Sequence, residues 1–338
     1  MIMKKTIIGL CALLTLCTAC GPSKDEKKHT LPVSKGLPYE LLLVVDDNVW
    51  NSEAGDSLRM VLQGNTPGLL QPEPMFRLLR ISPKAYDRTY TTMRDRMFVR
   101  LNPEAATPRL AVERDVEAKP QVQVVMEAKD TKALAGLIGR KADWIAEQFV
   151  NMELAAEEGR LRKKHNAGLA KDIAAHMAFD VRIPEEIKAL KKGKNFVWAS
   201  SEQVEKDLNF VLYTAPWPAG KVLDEAAFVA CRDSVMKTNI PGERPGQWMT
   251  TAKEKELPLV QTREVQVKGR MMLEVRGLWE MHNGALGGPF VSLAEVDSAR
   301  GEVVVAEGFV YSPRTECRDL VRRMEAVLRT VERKTGKN

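Results

Sequence analysis

The chain has 338 residues, with 51 Lys and Arg against 45 Asp and Glu, a formal charge of +6. So small an excess over that length excludes the basic stripe by which proteins hold nucleic acid. Hydrophobic residues at 44% suffice for a large core, whereas Cys231 and Cys317 stand alone with no C-x-x-C, and four scattered histidines provide no metal-ligand spacing and no cofactor motif.

The N-terminus reads Met-Ile-Met-Lys4-Lys5 and then Thr6–Leu16, an apolar run of eleven residues, with small residues at Thr18 and Ala19. A basic start, a short apolar stretch and a small-residue exit are the grammar of a signal peptide. The run is too short to span a bilayer, which takes roughly 20 apolar residues. Cys17-Thr-Ala-Cys20 resembles the lipobox of bacterial lipoproteins, with Cys17 where a leucine is usual. That resemblance implies removal of residues 1–19, diacylglycerol on the Cys20 sulfur and acyl chains of the palmitate class as a membrane anchor. Without Lys4 and Lys5 the mature chain keeps 49 basic against 45 acidic side chains. Residues 20–36 then read as the lipidated cysteine and a polar, flexible tether with a reach of about 20 Å. Within it, Lys24-Asp-Glu26 resembles the surface-export signal of Bacteroides-type lipoproteins. The expected location is the cell envelope, lipid-anchored at the outer membrane, with the periplasmic and surface faces both open.

The body opens on Tyr39–Val45, an apolar run suited to a strand buried on both faces. A short helix is predicted over 52–62, ended by Gly64, followed by strands at 75–81, 97–101, 109–113 and 121–126. Asp130 is placed to cap a long helical stretch reaching Met177, with Gly159 and Gly168 as bends. His165 and His176 fall eleven positions apart on it, roughly 16 Å at the helical rise, too far to share an ion. These elements make an N-terminal α+β unit, residues 37–177.

A second α+β unit is predicted over 178–332. It begins with strands at 179–184, 196–199 and 208–214, then a helix over 224–237 and a Pro/Gly-rich loop at 240–248. Alternating runs at 263–267, 271–281, 290–296 and 302–311 follow, with Asp297–Gly301 as a hairpin turn, and a last helix runs from Thr315 to about Val331. Residues 333–338 read as a frayed tail. The basic blocks 160–165 and 188–194 read as solvated helix faces or turns. The fold class expected is α+β: two related units, each a mostly antiparallel sheet with packed helices. A short echo supports the relation, since Phe210-Val-Leu-Tyr and Phe309-Val-Tyr each precede a proline and then a Cys-Arg-Asp helix at Cys231 and Cys317.

The most distinctive stretch is Arg276–Phe290, which couples a Trp-bearing strand to a Gly-rich connection and a second strand. Gly284, Gly287 and Gly288 match neither G-x-G-x-x-G nor a P-loop. They read as hairpin glycines that allow positive φ or close backbone approach, or as a binding loop with Trp279, His282 and Asn283 at its mouth. Trp217 and Trp248, in Pro/Gly-rich loops, are candidate stacking platforms for a sugar. Cys231 and Cys317 remain as an even pair in an oxidising compartment, with a disulfide between facing helices and two buried thiols both open. No G-x-S-x-G or H-E-x-x-H occurs, so no catalytic residue is nominated.

The lipobox, Phe196-Val-Trp, Phe210-Val-Leu-Tyr and Arg276-Gly-Leu-Trp…Gly287-Gly-Pro-Phe290 together make the chain resemble an uncharacterised family of Bacteroides-type lipoproteins. The resemblance covers nearly the whole mature chain and implies an envelope location but no activity. The expected function is that of a membrane-anchored binding or assembly component, with an envelope protein or glycan as partner and no cofactor. An envelope-polymer hydrolase or transferase with a scattered site, and a glycan-binding accessory protein, are the alternatives.

Overall fold

The computed structural model describes residues 30–255 and 257–334. The expected signal peptide, the Cys20 lipidation site and most of the tether lie outside the described residues, as does the end of the tail. Pro32–Asn338 holds together as one unit built on two sheets.

The first sheet has the order β2-β1-β3-β5-β4, from β1 (Glu40–Val45), β2 (Arg77–Ile81), β3 (Asp95–Leu101), β4 (Arg109–Arg114) and β5 (Val122–Ala128). Leu41, Leu43 and Val45 face a core shared with helices α1 (Glu53–Leu62), α2 (Thr131–Arg140) and α3 (Ala142–Lys163), while Leu42 and Val44 are buried on the other side. That two-sided burial is why β1 reads as a continuous apolar run and not as an alternation. Strand pairing over the whole body is mostly antiparallel and the class is α+β. Within it this sheet is mixed: β1 pairs in parallel with β2 and β3, and β3 with β5, and only β4 runs antiparallel. The parallel steps follow from connections long enough to carry a helix or looped crossover between neighbouring strands.

The second sheet is antiparallel throughout. Its order is β9-β11-β12-β13-β8-β7-β6, from β6 (Ala189–Gly193), β7 (Phe196–Ser200), β8 (Asp207–Pro216), β9 (Trp248–Thr251), β11 (Arg270–His282), β12 (Gly287–Asp297) and β13 (Glu302–Tyr311). Strand β10 (Val260–Val267) pairs with β11 beside β9. Both faces are buried. Phe210, Leu212, Val304 and Ala306 pack under α4 (Ala167–Met177) and α6 (Arg318–Leu328), while Val211, Tyr213, Val303 and Val305 pack under α5 (Glu225–Asn239). The two echoed strands, β8 and β13, are direct neighbours, and the helices that follow them cover opposite faces of one sheet.

Several boundaries differ from the sequence reading. The long helical stretch breaks at Lys141 and again at 164–166, where the Asn166 side chain accepts the Leu169 N–H; Gly159 and Gly168 lie inside helices. A helical glycine weakens propensity by about 1 kcal/mol without forcing a bend, whereas a capping Asn starts a new helix. The basic block 188–194 forms edge strand β6, where lysines discourage further pairing. Of the strand expected at 179–184, only Phe179–Asp180 is paired, with Glu332–Arg333. Cys231 and Cys317 are free thiols; α5 and α6 lie on opposite faces of the sheet, so the helices do not face each other and no disulfide joins them.

Candidate functional site

Helix α6 is the point where the N-terminal elements meet the second sheet. Met324 closes on β13 because Gly308 has no side chain there; a Cβ would lie 2.5 Å from that of Met324. On its other flank α6 meets α3 through Arg323–Glu157 at 3.3 Å and Arg329–Glu158 at 2.9 Å. Two clefts flank this junction, about 680 Å³ and about 490 Å³ in volume, and Arg322 lines both.

The larger cleft lies between α1 and α3 on one side and β10 and β11 on the other. Its apolar wall is Met60, Val61, Ala146 and Val150. Its floor is a chain of ion pairs. Glu274 Oε1 accepts from Arg276 Nε and from Arg263 Nε, both at 2.8 Å; Glu325 Oε2 accepts from Arg276 Nη2 at 2.5 Å and Arg322 Nη1 at 3.1 Å. Three guanidinium groups therefore serve two buried carboxylates, and among the described residues Arg276 Nη1 has no hydrogen-bond partner. Burial works against ionisation of Glu274, yet Arg276 and then Arg263 overcome it and hold its carboxyl at about 2. The loop from Asn65 to Pro74 lies against β11 here. Gly68, at φ +77°, permits this, since a Cβ would come within 2.8 Å of that of Arg276.

The smaller cleft is built on α3, α6 and the entry to β1. Arg94 Nε lies 2.6 Å from Glu153 Oε1. Behind it Asp95 is fully buried, with its carboxyl against that of Glu153. Burial raises both carboxyls, and for Asp95 the charge of Glu153 and the bond between them raise it further. Tyr39 stands over the pair. Its backbone N–H donates to Glu153, its φ of 60° is strained for a bulky residue, and burial pushes its hydroxyl well above the usual range. Across the cleft, Arg160 and Arg323 overcome burial and lower Glu157.

Of the residues nominated from sequence, Trp248, His282 and Asn283 are brought together at one end of the second sheet. Trp248 pairs with His282 across β9 and β11, and their rings stack at 4.0 Å. Lys237 Nζ also lies against the Trp248 ring, 4.3 Å from its centroid. Gln247 Nε2 donates to the Asn283 carbonyl at 2.6 Å. Trp217 lies at the opposite end of the strands beside Gly301, 5% exposed, with its indole N–H on the Lys221 carbonyl. Trp217 is thus buried away from any sugar, and the Trp248 ring already carries His282 and Lys237. Trp279 is buried and donates to the Val310 carbonyl at 3.2 Å. Gly288 makes that approach possible, because a Cβ would lie 2.2 Å from the Val310 oxygen. The Gly-rich segment is thus a packing device.

Sequence reasoning missed the cleft residues. Their signal was charge at inward positions: Glu274 and Arg276 alternate on one face of β11, and Arg318, Arg322 and Glu325 recur at helical spacing on α6.

The protein so defined is an α+β body with two charged clefts at a helical junction. Family comparisons divide it in the same region: residues 34–162 match a domain of unknown function (DUF8532) and residues 166–330 match another (DUF4837). Together they cover most of the chain, consistent with an uncharacterised family. No curated protein matches. Among solved structures, a mutant of the protein Mog1 is similar over 46% of this chain and 90% of its own, at 10% identity and a TM-score of 0.30. Among the described residues, no helix is long and apolar enough to cross a membrane.

Proposed function

We propose that this is a lipid-anchored cell-envelope protein of the Bacteroides lipoprotein type, working as a binding or assembly component. The Lys4-Lys5 start, the apolar run and the lipobox-like Cys17–Cys20 support the anchor. The observation that carries the binding role is the pair of adjoining clefts, about 680 and 490 Å³, which share Arg322. Clefts of that size combining an apolar wall with a few fixed polar groups are the usual form of a ligand site. Lipid labelling in cells tests the anchor: Cys20→Ala should abolish incorporation and release the chain from membranes. A photocrosslinking residue at Met60, on the rim of the larger cleft, tests the binding role. One discrete adduct is expected, and its absence at Met60 and at Gln261 alike defeats the reading.

A second reading, an envelope-polymer hydrolase or transferase, is favoured by the raised Asp95 and Glu153 carboxyls at the smaller cleft. Raised carboxyls in a cleft are suited to general acid work. Glu153→Gln would then abolish turnover of envelope polymer while sparing the adduct at Met60.

A further inference from the structure

Strand β10 is an edge strand. It pairs with β11 on one side, and among the described residues no strand pairs with its other side. The register fixes which backbone groups face outward. The Leu278 N–H donates to the Leu259 carbonyl at 3.1 Å, and antiparallel partners alternate between hydrogen-bonded and non-hydrogen-bonded positions. Counting on from 259, residues 261, 263 and 265 bond to β11. Thr262 and Glu264 turn their N–H and C=O away from it.

Side chains alternate too. Gln261 and Arg263 share a face with Glu274 and Arg276, whereas Thr262 and Glu264 point to the other. Yet all four residues from Gln261 to Glu264 line the larger cleft. All four are exposed and β10 has no second strand partner among the described residues, so the cleft runs along this edge and its outward N–H and C=O groups. Facing them is the apolar wall of α1 and α3, including Met60 at 76% exposure. On the floor, Arg276 is 4% exposed and, among the described residues, its Nη1 has no acceptor. A buried, unpartnered N–H is costly, and a carboxylate is the acceptor that best relieves a guanidinium.

We propose that the larger cleft receives an extended peptide segment of a partner protein, which adds to β10 as a strand and sets a carboxylate against Arg276. The proposal rests on the binding role above and names its ligand. Strand addition draws affinity from main-chain hydrogen bonds and specificity from side-chain pockets; here the outward groups of Thr262 and Glu264 supply the first and Arg276 the second. A second copy of the chain fits less well, because α1 and α3 stand across from the edge and would obstruct a whole sheet. One ion pair spans the cleft, Arg263 Nη1 to Glu147 Oε1 at 3.1 Å, with both side chains about half exposed. Pairs of that exposure contribute little, so an entering strand displaces it readily.

The test titrates the full chain, in detergent, with capped heptapeptides of alternating Thr and Val that carry Glu, Gln or Lys at the centre. The Glu peptide should bind at least about ten-fold more tightly than the Gln peptide, with Lys weaker still. Methylating the alternate peptide amides that face β10 should abolish binding, and methylating the other set should not. Thr262→Pro removes an outward N–H at an edge position where proline is tolerated, and should lose binding with an unchanged far-ultraviolet spectrum. If that variant misfolds, the methylated peptides still decide the matter, because the protein is then unaltered. Equal affinity for the three peptides, indifference to methylation, no binding at all, or a dimer through β10 overturns the proposal. If it fails while the Met60 adduct persists, strand addition alone is lost; if the adduct is missing too, the binding role falls with it.

Discussion

Glu73 and Arg318 lie 245 positions apart and meet at the first turn of α6, where Glu73 Oε2 accepts the Arg318 N–H at 2.8 Å. The other oxygen accepts the Cys317 N–H at 2.7 Å, and Arg318 Nη1 donates to the Pro74 carbonyl at 2.7 Å. A helix leaves its first N–H groups without partners, and Cys317 supplies no side-chain cap of its own. The cap comes instead from a loop of the N-terminal half. The helix that closes the second sheet is therefore held by the first half of the chain, one of the contacts that make the body one unit.

Glu73→Gln should make that dependence measurable in two ways. Loss of the charged cap should cost about 1–2 kcal/mol, read as a lower melting temperature. Burial and then the charge of Glu73 push the Cys317 thiol up to about 11. Neutralising Glu73 should move the pH profile of Cys317 alkylation to lower pH. An unchanged profile with an unchanged melting temperature would show that Glu73 does not cap α6.

The buried pair Arg232–Glu307 makes the same kind of link inside the second sheet. Arg232 Nε and Nη2 donate to the two oxygens of Glu307 at 2.8 and 2.7 Å, Ser292 Oγ donates to Glu307 at 2.8 Å, and the guanidinium lies 4.1 Å from the Phe290 ring centroid. Burial alone would lower the Arg232 pKa, and Glu307 reverses this to a raised one. Arg232→Met strands a buried carboxylate and should cost about 3–5 kcal/mol, whereas the double change Arg232→Met with Glu307→Leu should recover most of it. Denaturant titration of these two variants and of Glu307→Leu alone measures the coupling; additive losses would mean that the pair acts as two separate contacts.

Much of the scaffold was legible from pattern. The apolar run at 40–45, the alternation through β11 to β13, and the capping residues Ser52, Asp130 and Asp224 all announce local structure, because local sterics and burial decide it. The parallel order of the first sheet was not legible, since pairing partners are settled by packing between segments far apart in sequence. The clefts were hidden for a related reason. A charged residue such as Arg276 or Glu153 reads as surface until its partner, here Glu325 from α6 or Asp95 from β3, is known to face it. The aromatic residues drew attention because tryptophan is rare, but Trp217 and Trp279 use their indole N–H groups on backbone carbonyls and belong to the core.

Glu274 is a carboxyl whose protonation should weaken the fold in acid. Its carboxyl is held at about 2 against an ordinary 4.5. A depressed carboxyl contributes stability above its unfolded pKa and loses it as pH falls towards the folded one, so the contribution should vanish between about pH 4.5 and 2. Glu274→Gln should cost on the order of 3 kcal/mol at pH 7 and almost nothing at pH 2. Melting curves of the two proteins from pH 7 downward check this, and a gap that stays constant over that range would remove Glu274 as the acid-sensitive group.

Asp95 works with the opposite sign. Burial first, and then the charge and hydrogen bond of Glu153, raise its carboxyl well above the ordinary 3.8, against a smaller opposing effect of Arg94. A raised carboxyl contributes stability that is fully present below its unfolded pKa and is lost as pH rises through the folded one. Asp95→Asn keeps a donor towards Glu153 and stays neutral at every pH. The variant should therefore match the native chain near pH 4 and exceed it in melting temperature at pH 8. If Asp95→Asn is instead less stable at pH 8 than at pH 4 by the same margin as the native chain, the proton is not held by this pair. The hydrolase or transferase reading would then lose the acid on which it depends.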